Sequence, residues 1–275
     1  MAHGVNFTQW QSFKEVVERL NAGADVFTTY KLLFMGRHGD GYHNAEEAYV
    51  GTPAWNCYYS LLDGNGTVTW ADAHLTPLGI SQAQIVNAFW AHELEDQRAP
   101  FPQSYYVSPL TRCLQTANIT FTGLDLPFAH PFIPTIKELL RESISGHTCD
   151  RRSNATNIHA SFPWYEFETG FTETDILWEQ GRGETDTDQD IRSRKVLDDI
   201  FVNDDNTWIS ITSHSGEIAS ILRVLGHRAF SLGTGAVIPV FVKAVVLPAP
   251  APRTAVAPYT TISTCASPPA ATATS

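Results

Sequence analysis

The sequence predicts an α/β fold, a three-layer sandwich with a largely parallel central sheet and loop or helical lid insertions. Three observations carry that expectation. Short apolar runs alternate with stretches of helical periodicity, two candidate helices open on a hydroxyl residue followed by proline, and chemically capable side chains fall where the apolar runs end. With 275 residues, 43% of them hydrophobic, the chain can bury one large core.

Residues 7–20 alternate apolar and charged positions at helical spacing, and Gly23 supplies a stop, which predicts a leading helix. The run 31–36 (KLLFMG) predicts a buried strand feeding a loop that begins Arg37-His38-Gly39. Thr76-Pro77 reads as an N-cap with proline in the first helical position, predicting a helix to about Glu95. A strand at 104–107 leads to Ser108-Pro109, a second start of that kind. Residues 208–212 predict a strand, 216–225 a helix after Ser213 and His214, and 237–247 one more strand.

Two stretches break the alternation, 45–73 and 143–188, and excursions of that length suggest lids or binding loops. Their aromatic residues, among them Trp55, Trp70, Phe162 and Trp164, are expected to pack locally or to roof a substrate. Residues 248–275, rich in Pro, Ala, Ser and Thr, are expected to be disordered, leaving one folded domain over 1–247.

Eighteen basic against 29 acidic residues give a formal charge of −11, which disfavours nucleic acid and anionic membranes as partners. A local anion pocket remains compatible with that charge, because screening confines each field to ~8–10 Å. No apolar run is long enough to span a membrane. Cys57, Cys113, Cys149 and Cys265 are scattered, form no C-x-x-C pair, and staple nothing that a chain of this length needs stapled. The expectation is a soluble protein of a reducing, cytoplasmic setting, in which the sequons at Asn6, Asn65, Asn118 and Asn154 carry little weight.

In open α/β sheets ligands bind beyond the carboxyl ends of strands, so Arg37, His38, Arg112 and His214 can converge on one rim. Two imidazoles, two guanidiniums and helix N-termini suit a phosphoryl group. A serine-hydrolase reading lacks a G-x-S-x-G around Ser213 and Ser215. A metallohydrolase reading lacks H-E-x-x-H, and no metal or cofactor is expected.

The runs LLFMGRHGDGYHN (32–44), HLTPLG (74–79), YVSPLTRCLQTA (106–117), LLRESISG (139–146) and TSHSGE (212–217) together resemble the phosphoglycerate mutase-like branch of the histidine phosphatase superfamily. HTCDRRS (147–153) resembles a fungal phosphomutase-like subgroup. The resemblance implies a phosphohistidine on His38, with Arg37, Arg112 and His214 around the phosphoryl oxygens and Asn44 as a further phosphate contact. It implies Glu142 as proton donor, with Glu138 competing one helical turn earlier and Glu166, Glu168 and Asp175 next in line. Asn44 could instead close a turn after Gly41. Asp40, Gly41, Tyr42 and His43 stand where mutases typically carry another pattern, which favours hydrolysis of a small phosphorylated molecule over a phosphomutase or a silent phospho-ligand binder.

Overall fold

The computed structural model describes residues 7–247 and 260–269. The chain enters through α1 (Gln9–Ala22), capped by a reciprocal pair between Thr8 and Gln11. It then forms β1 (Thr28–Arg37), α2 (Tyr42–Val50), α3 (Thr52–Cys57) and α4 (Pro77–Glu95). Next come β2 (Ser104–Val107), α5 (Thr111–Phe121), β3 (Thr135–Ile136), α6 (Ala155–Ser161), β4 (Glu166–Phe167) and β5 (Arg182–Gly183). The fold closes with α7 (Asp186–Asn203), β6 (Trp208–Ser213), α8 (Ser215–Val224), β7 (Val237–Val245) and β8 (Thr260–Thr261).

Six strands make one sheet in the order β4-β3-β2-β6-β1-β7, parallel throughout except for β7 against β1. Side chains alternate along β1 with the period of two that a strand imposes. Leu33 and Met35 join Val196, Leu197, Ile218 and Ile221 of α7 and α8 on one face. Leu32 and Phe34 meet Val17, Trp90 and Phe121 of α1, α4 and α5 on the other. This is the three-layer sandwich that the alternation predicts. Burying such side chains on both faces stabilises the sheet by ~1.5–3 kcal/mol each.

Four expectations need correction. The helix expected at Ser108-Pro109 begins at Thr111, with Leu110 in the cap position; the Ser108 hydroxyl meets His214 at 2.7 Å and accepts only a long bond from Leu110 N at 3.4 Å. Glu138 and Glu142 do not share a helix face, since only a 3-10 turn forms at Glu138–Leu140 and Glu142 lies beyond it. The tail expected to be disordered is ordered over 260–269: β8 pairs antiparallel with β5, and Tyr59 donates to the carbonyl of Pro269. The rest of that tail lies outside the described residues. Finally, Cys57 and Cys265 form a disulfide across 208 residues, where the scattered cysteines predicted none.

The excursions are not bare loops. Trp55 and Trp70 are buried against each other, and Phe162 and Tyr165 join a core cluster with Val107 and Leu114, so most of these aromatics pack locally. Trp164 alone of the four large rings named above stays half exposed.

Candidate active site

The site is built where β1, β6 and β2 run out. Arg37 on β1 lies opposite Ser213 on β6, so His38 and His214 leave adjacent parallel strands at one level. Their rings stand 5.1 Å apart, centroid to centroid, and both residues are buried. Register between β2 and β6 sets Val107 opposite Thr212, which brings Ser108 to the same rim. Gly39 and Gly79 let the strand-end loop and α4 touch backbone to backbone, since a Cβ on either would collide with the other segment. That contact seats the HLTPLG run against the loop carrying His38.

The hydrogen bonds assign the tautomers. His38 Nδ1 lies 2.7 Å from the carbonyl oxygen of Gly39, which can only accept, so Nδ1 carries the hydrogen and Nε2 keeps its lone pair. Arg112 Nε donates to His214 Nδ1 at 3.3 Å, and His214 Nε2 therefore donates to the Ser108 hydroxyl at 2.7 Å. Burial, reinforced by the Arg112 guanidinium, holds both imidazoles well below the usual histidine range. They are neutral at neutral pH, as a nitrogen nucleophile must be.

Arg112 spends its fork on the protein, with Nη1 donating to the Cys149 carbonyl at 2.6 Å and Nη2 to Asp150 at 3.1 Å. Arg37 differs. Its Nη1 donates to the carbonyl of Leu232, but its Nε is buried with no hydrogen-bond partner among the described residues. A buried charged donor left unpaired is costly, so it is suited to an anion arriving from outside the chain. Asn44 serves the turn and leaves a donor free: its Oδ1 accepts from Gly41 N at 3.0 Å, while its amide NH₂ makes no hydrogen bond among the described residues.

Of the candidate acids, Glu142 is the one that touches the histidine wall. Its two oxygens accept from Ser143 N at 3.0 Å and from Gly216 N at 3.3 Å, and Gly216 is at the start of α8, two residues after His214. A Cβ at Gly216 would collide with this carboxylate, so glycine is what permits the approach. Burial and then the neighbouring Asp150 raise the Glu142 carboxyl above its ordinary value, against the pull of its hydrogen bonds and Arg112. Glu138 has both oxygens engaged by arginines, Arg141 at 2.9 Å and Arg152 at 2.8 Å. Glu168 and Asp175 are committed to Lys137 and Arg141, and Glu166 is exposed on edge strand β4.

Several residues around the site escaped sequence reading. His43 is buried with its ring 5.5 Å from that of His38, packed over Gly41, and its Nδ1 has no partner among the described residues. Ser108 and Asp150 hold His214 and Arg112, and Arg192 bridges Glu184 and Glu217 while donating to the carbonyls of Leu139, Arg141 and Glu142. The only available signal was position: Ser108, Asp150 and Glu217 fall inside the runs quoted above, but nothing in spacing says which partner each meets. His147, Cys149 and Asp150 have potential ligand atoms within 4.8 Å of one another. Arg112 and the Ser145 hydroxyl already occupy the Asp150 carboxylate, and a guanidinium beside the cluster repels a second cation.

Residues 62–234 match the model of the histidine phosphatase superfamily, branch 1, and this is more than half of the chain. The chain belongs to the histidine phosphatase superfamily. Within that superfamily it is 52% identical, over 85% of this chain and 70% of the relative, to a probable phosphoglycerate mutase of Arthroderma benhamiae. It is 40% identical to phosphomutase-like protein 3 of Candida albicans, over 80% of this chain and 67% of the relative. Among solved structures, a mycobacterial glucosyl-3-phosphoglycerate phosphatase aligns at TM-score 0.44 with 18% identity, covering 77% of this chain and 90% of that one.

Proposed function

We propose that this histidine phosphatase superfamily member is a metal-independent phosphatase that hydrolyses a small organic phosphate through phosphohistidine on His38. The observation that carries the reading is the pairing of a neutral imidazole, its Nε2 lone pair free, with a carboxyl of raised pKa on the facing wall. At ordinary values a histidine is neutral mostly above pH ~6.5 and a glutamate protonated mostly below ~4.3, so the two required forms would not coexist. Burial moves both groups in the direction that favours coexistence, His38 downward and Glu142 upward.

In the first step His38 Nε2 attacks phosphorus as the bond to the leaving oxygen breaks, and Glu142 delivers its proton to that oxygen. Arg37 and Asn44 keep donors for the charge that spreads over the phosphoryl oxygens, while Arg112 and His214, whose hydrogen bonds are made within the protein, set a fixed positive charge and an imidazole beside it. In the second step the Glu142 carboxylate takes a proton from water, the water oxygen bonds to phosphorus, and the P–N bond breaks to release inorganic phosphate and restore the neutral imidazole. The arginines supply the positive charge, so a chelator should leave turnover unchanged.

The names of the relatives favour one competing reading, a phosphomutase, in which a second substrate hydroxyl replaces water. Labelled phosphomonoester quenched during turnover should give an acid-labile, base-stable phosphoenzyme whose label maps to His38. Label on another residue would overturn the mechanism, and transfer of label to an added polyol phosphate in preference to water would make the protein a mutase.

A further inference from the structure

The Cys57–Cys265 bond changes the weight of a sequence feature that the catalytic reading leaves unused. Bonds of this kind form and persist in oxidising compartments and are rare where glutathione keeps thiols reduced. Here the bond joins two half-buried cysteines and is flanked by a backbone hydrogen bond from Cys265 N to the Cys57 carbonyl, while Cys113 and Cys149 stay buried and free. With it, residues 260–269 strap the excursion 45–73 to the excursion 143–188, through Cys57 on one side and β5 on the other. A chain matured on the route where that bond forms also meets the enzymes that glycosylate Asn-x-Ser/Thr.

Three sequons lie among the described residues, and their surroundings separate them. Asn118 is half-buried in α5, its Oδ1 accepts from Thr122, and its sequon threonine Thr120 is buried. Asn154 is half-buried and caps α6 through Asn157 N. Asn65 is exposed at the tip of the turn between Gly64 and Thr69. Its Oδ1 accepts from Thr67 N at 3.1 Å and Val68 N at 2.8 Å, which fixes the amide, while its Nδ2, the atom a glycan would modify, makes no hydrogen bond among the described residues. The adjoining Gly66 has positive φ and only open space where a side chain would stand.

We infer that Asn65 is an N-glycosylation site, and that the protein matures in an oxidising compartment with the Cys57–Cys265 bond formed. The transfer joins the Asn65 Nδ2 to the first sugar of a lipid-linked oligosaccharide donor, with loss of one amide hydrogen and departure of the lipid diphosphate. This inference stands apart from the chemistry at His38, and the cytoplasmic expectation gives way to it.

The test uses protein isolated from its own cells, alkylated without reduction, digested and treated with peptide-N-glycosidase in heavy-oxygen water. The expected map shows a Cys57–Cys265 linked peptide and a heavy aspartate at position 65, with Asn118 unlabelled. Asn65→Gln should remove one glycan's shift in mobility and leave phosphatase activity unchanged. An unmodified Asn65, label at Asn118 in its place, or alkylated thiols at Cys57 and Cys265 would each overturn the inference.

Discussion

His38 and His214 are set by backbone register, each one residue past the end of adjacent parallel strands packed from both faces, whereas Glu142 stands in an irregular segment held by side chains far apart in sequence. Arg141 and Arg152 clamp Glu138, Arg141 also holds Asp175, and Arg192 grips three carbonyls between Leu139 and Glu142. One wall of the site is therefore a property of the sheet. The other depends on buried charge pairs, each of which loses most of its value when one partner is removed.

The comparison breaks first at the nucleophile. His38→Ala should lower turnover on the order of 10⁴- to 10⁶-fold, as loss of a covalent catalyst does, and abolish the phosphoenzyme. Because the sheet sets the site, the variant should keep its melting temperature. A large fall in that temperature would mean that the histidine wall is less independent of its side chains than the register implies.

At the acid wall, Glu142→Gln should cut hydrolysis of an alkyl phosphate by ~10²–10⁴-fold and phosphoenzyme formation from an aryl phosphate far less, since a nitrophenolate leaves without a proton. The pH profile gives the sign. With the Glu142 pKa raised, the alkyl-ester rate holds while the carboxyl stays protonated and falls as pH rises through that raised value. With the His38 pKa lowered, activity is lost on the acid side only once the imidazole protonates, below its ordinary range. Glu142→Gln should erase the alkaline fall for phosphorylation. Glu138→Gln should destabilise without that selectivity, and a selective loss there would move the acid to Glu138.

Arg192→Met asks how far the second wall depends on ion pairs. It strands Glu184 and Glu217 in the interior and should cost ~3–5 kcal/mol of stability. Burial raises Glu217 to about 7 even with Arg192 present, so this carboxyl favours the fold at pH below its ordinary value and loses that contribution as pH rises through about 7. The loss in the variant should therefore be greatest in alkaline solution, as thermal melts at several pH values would show. A variant as stable as the parent at high pH would refute the account.

The same contrast explains what was legible in the sequence. The continuous apolar run within 31–36 and the Thr76-Pro77 cap are local signals, and the strand and helix that position His38 followed from them. The segment 138–152 has no period to read. Its shape comes from Arg141 meeting Asp175 and Arg192 meeting Glu217, pairings across tens of residues that no local pattern encodes. The same holds for β8, two residues that become a strand only because β5 is there to pair with, and for Cys265, whose partner lies 208 residues away. Ser108 misled for a related reason: its hydroxyl keeps a long bond from Leu110 N at 3.4 Å, but its closer partner at 2.7 Å is the buried His214 imidazole, and the regular helix starts only at Thr111.

Cys265→Ser should have the smallest catalytic effect and sharpen the boundary between the walls. The strap touches the excursions at Cys57, Tyr59, Gly181 and Gly183 and makes no contact with His38 or His214, which the sheet positions. Releasing it restores conformational freedom to the unfolded chain and to the tail, for an expected loss of ~2–4 kcal/mol of stability. Phosphoenzyme formation from an aryl phosphate, which draws on the histidine wall, should stay within about 2-fold of the parent, the range of a change remote from the chemistry. Hydrogen exchange should quicken at the amide of Ile262, which donates to the Gly181 carbonyl, and at Gly183 of the paired strand, while the amides of β1 and β6 keep their protection. If exchange quickens across β1 as well, the two walls form one cooperative unit, and the loss of activity in acid-wall variants would then reflect unfolding of the whole site.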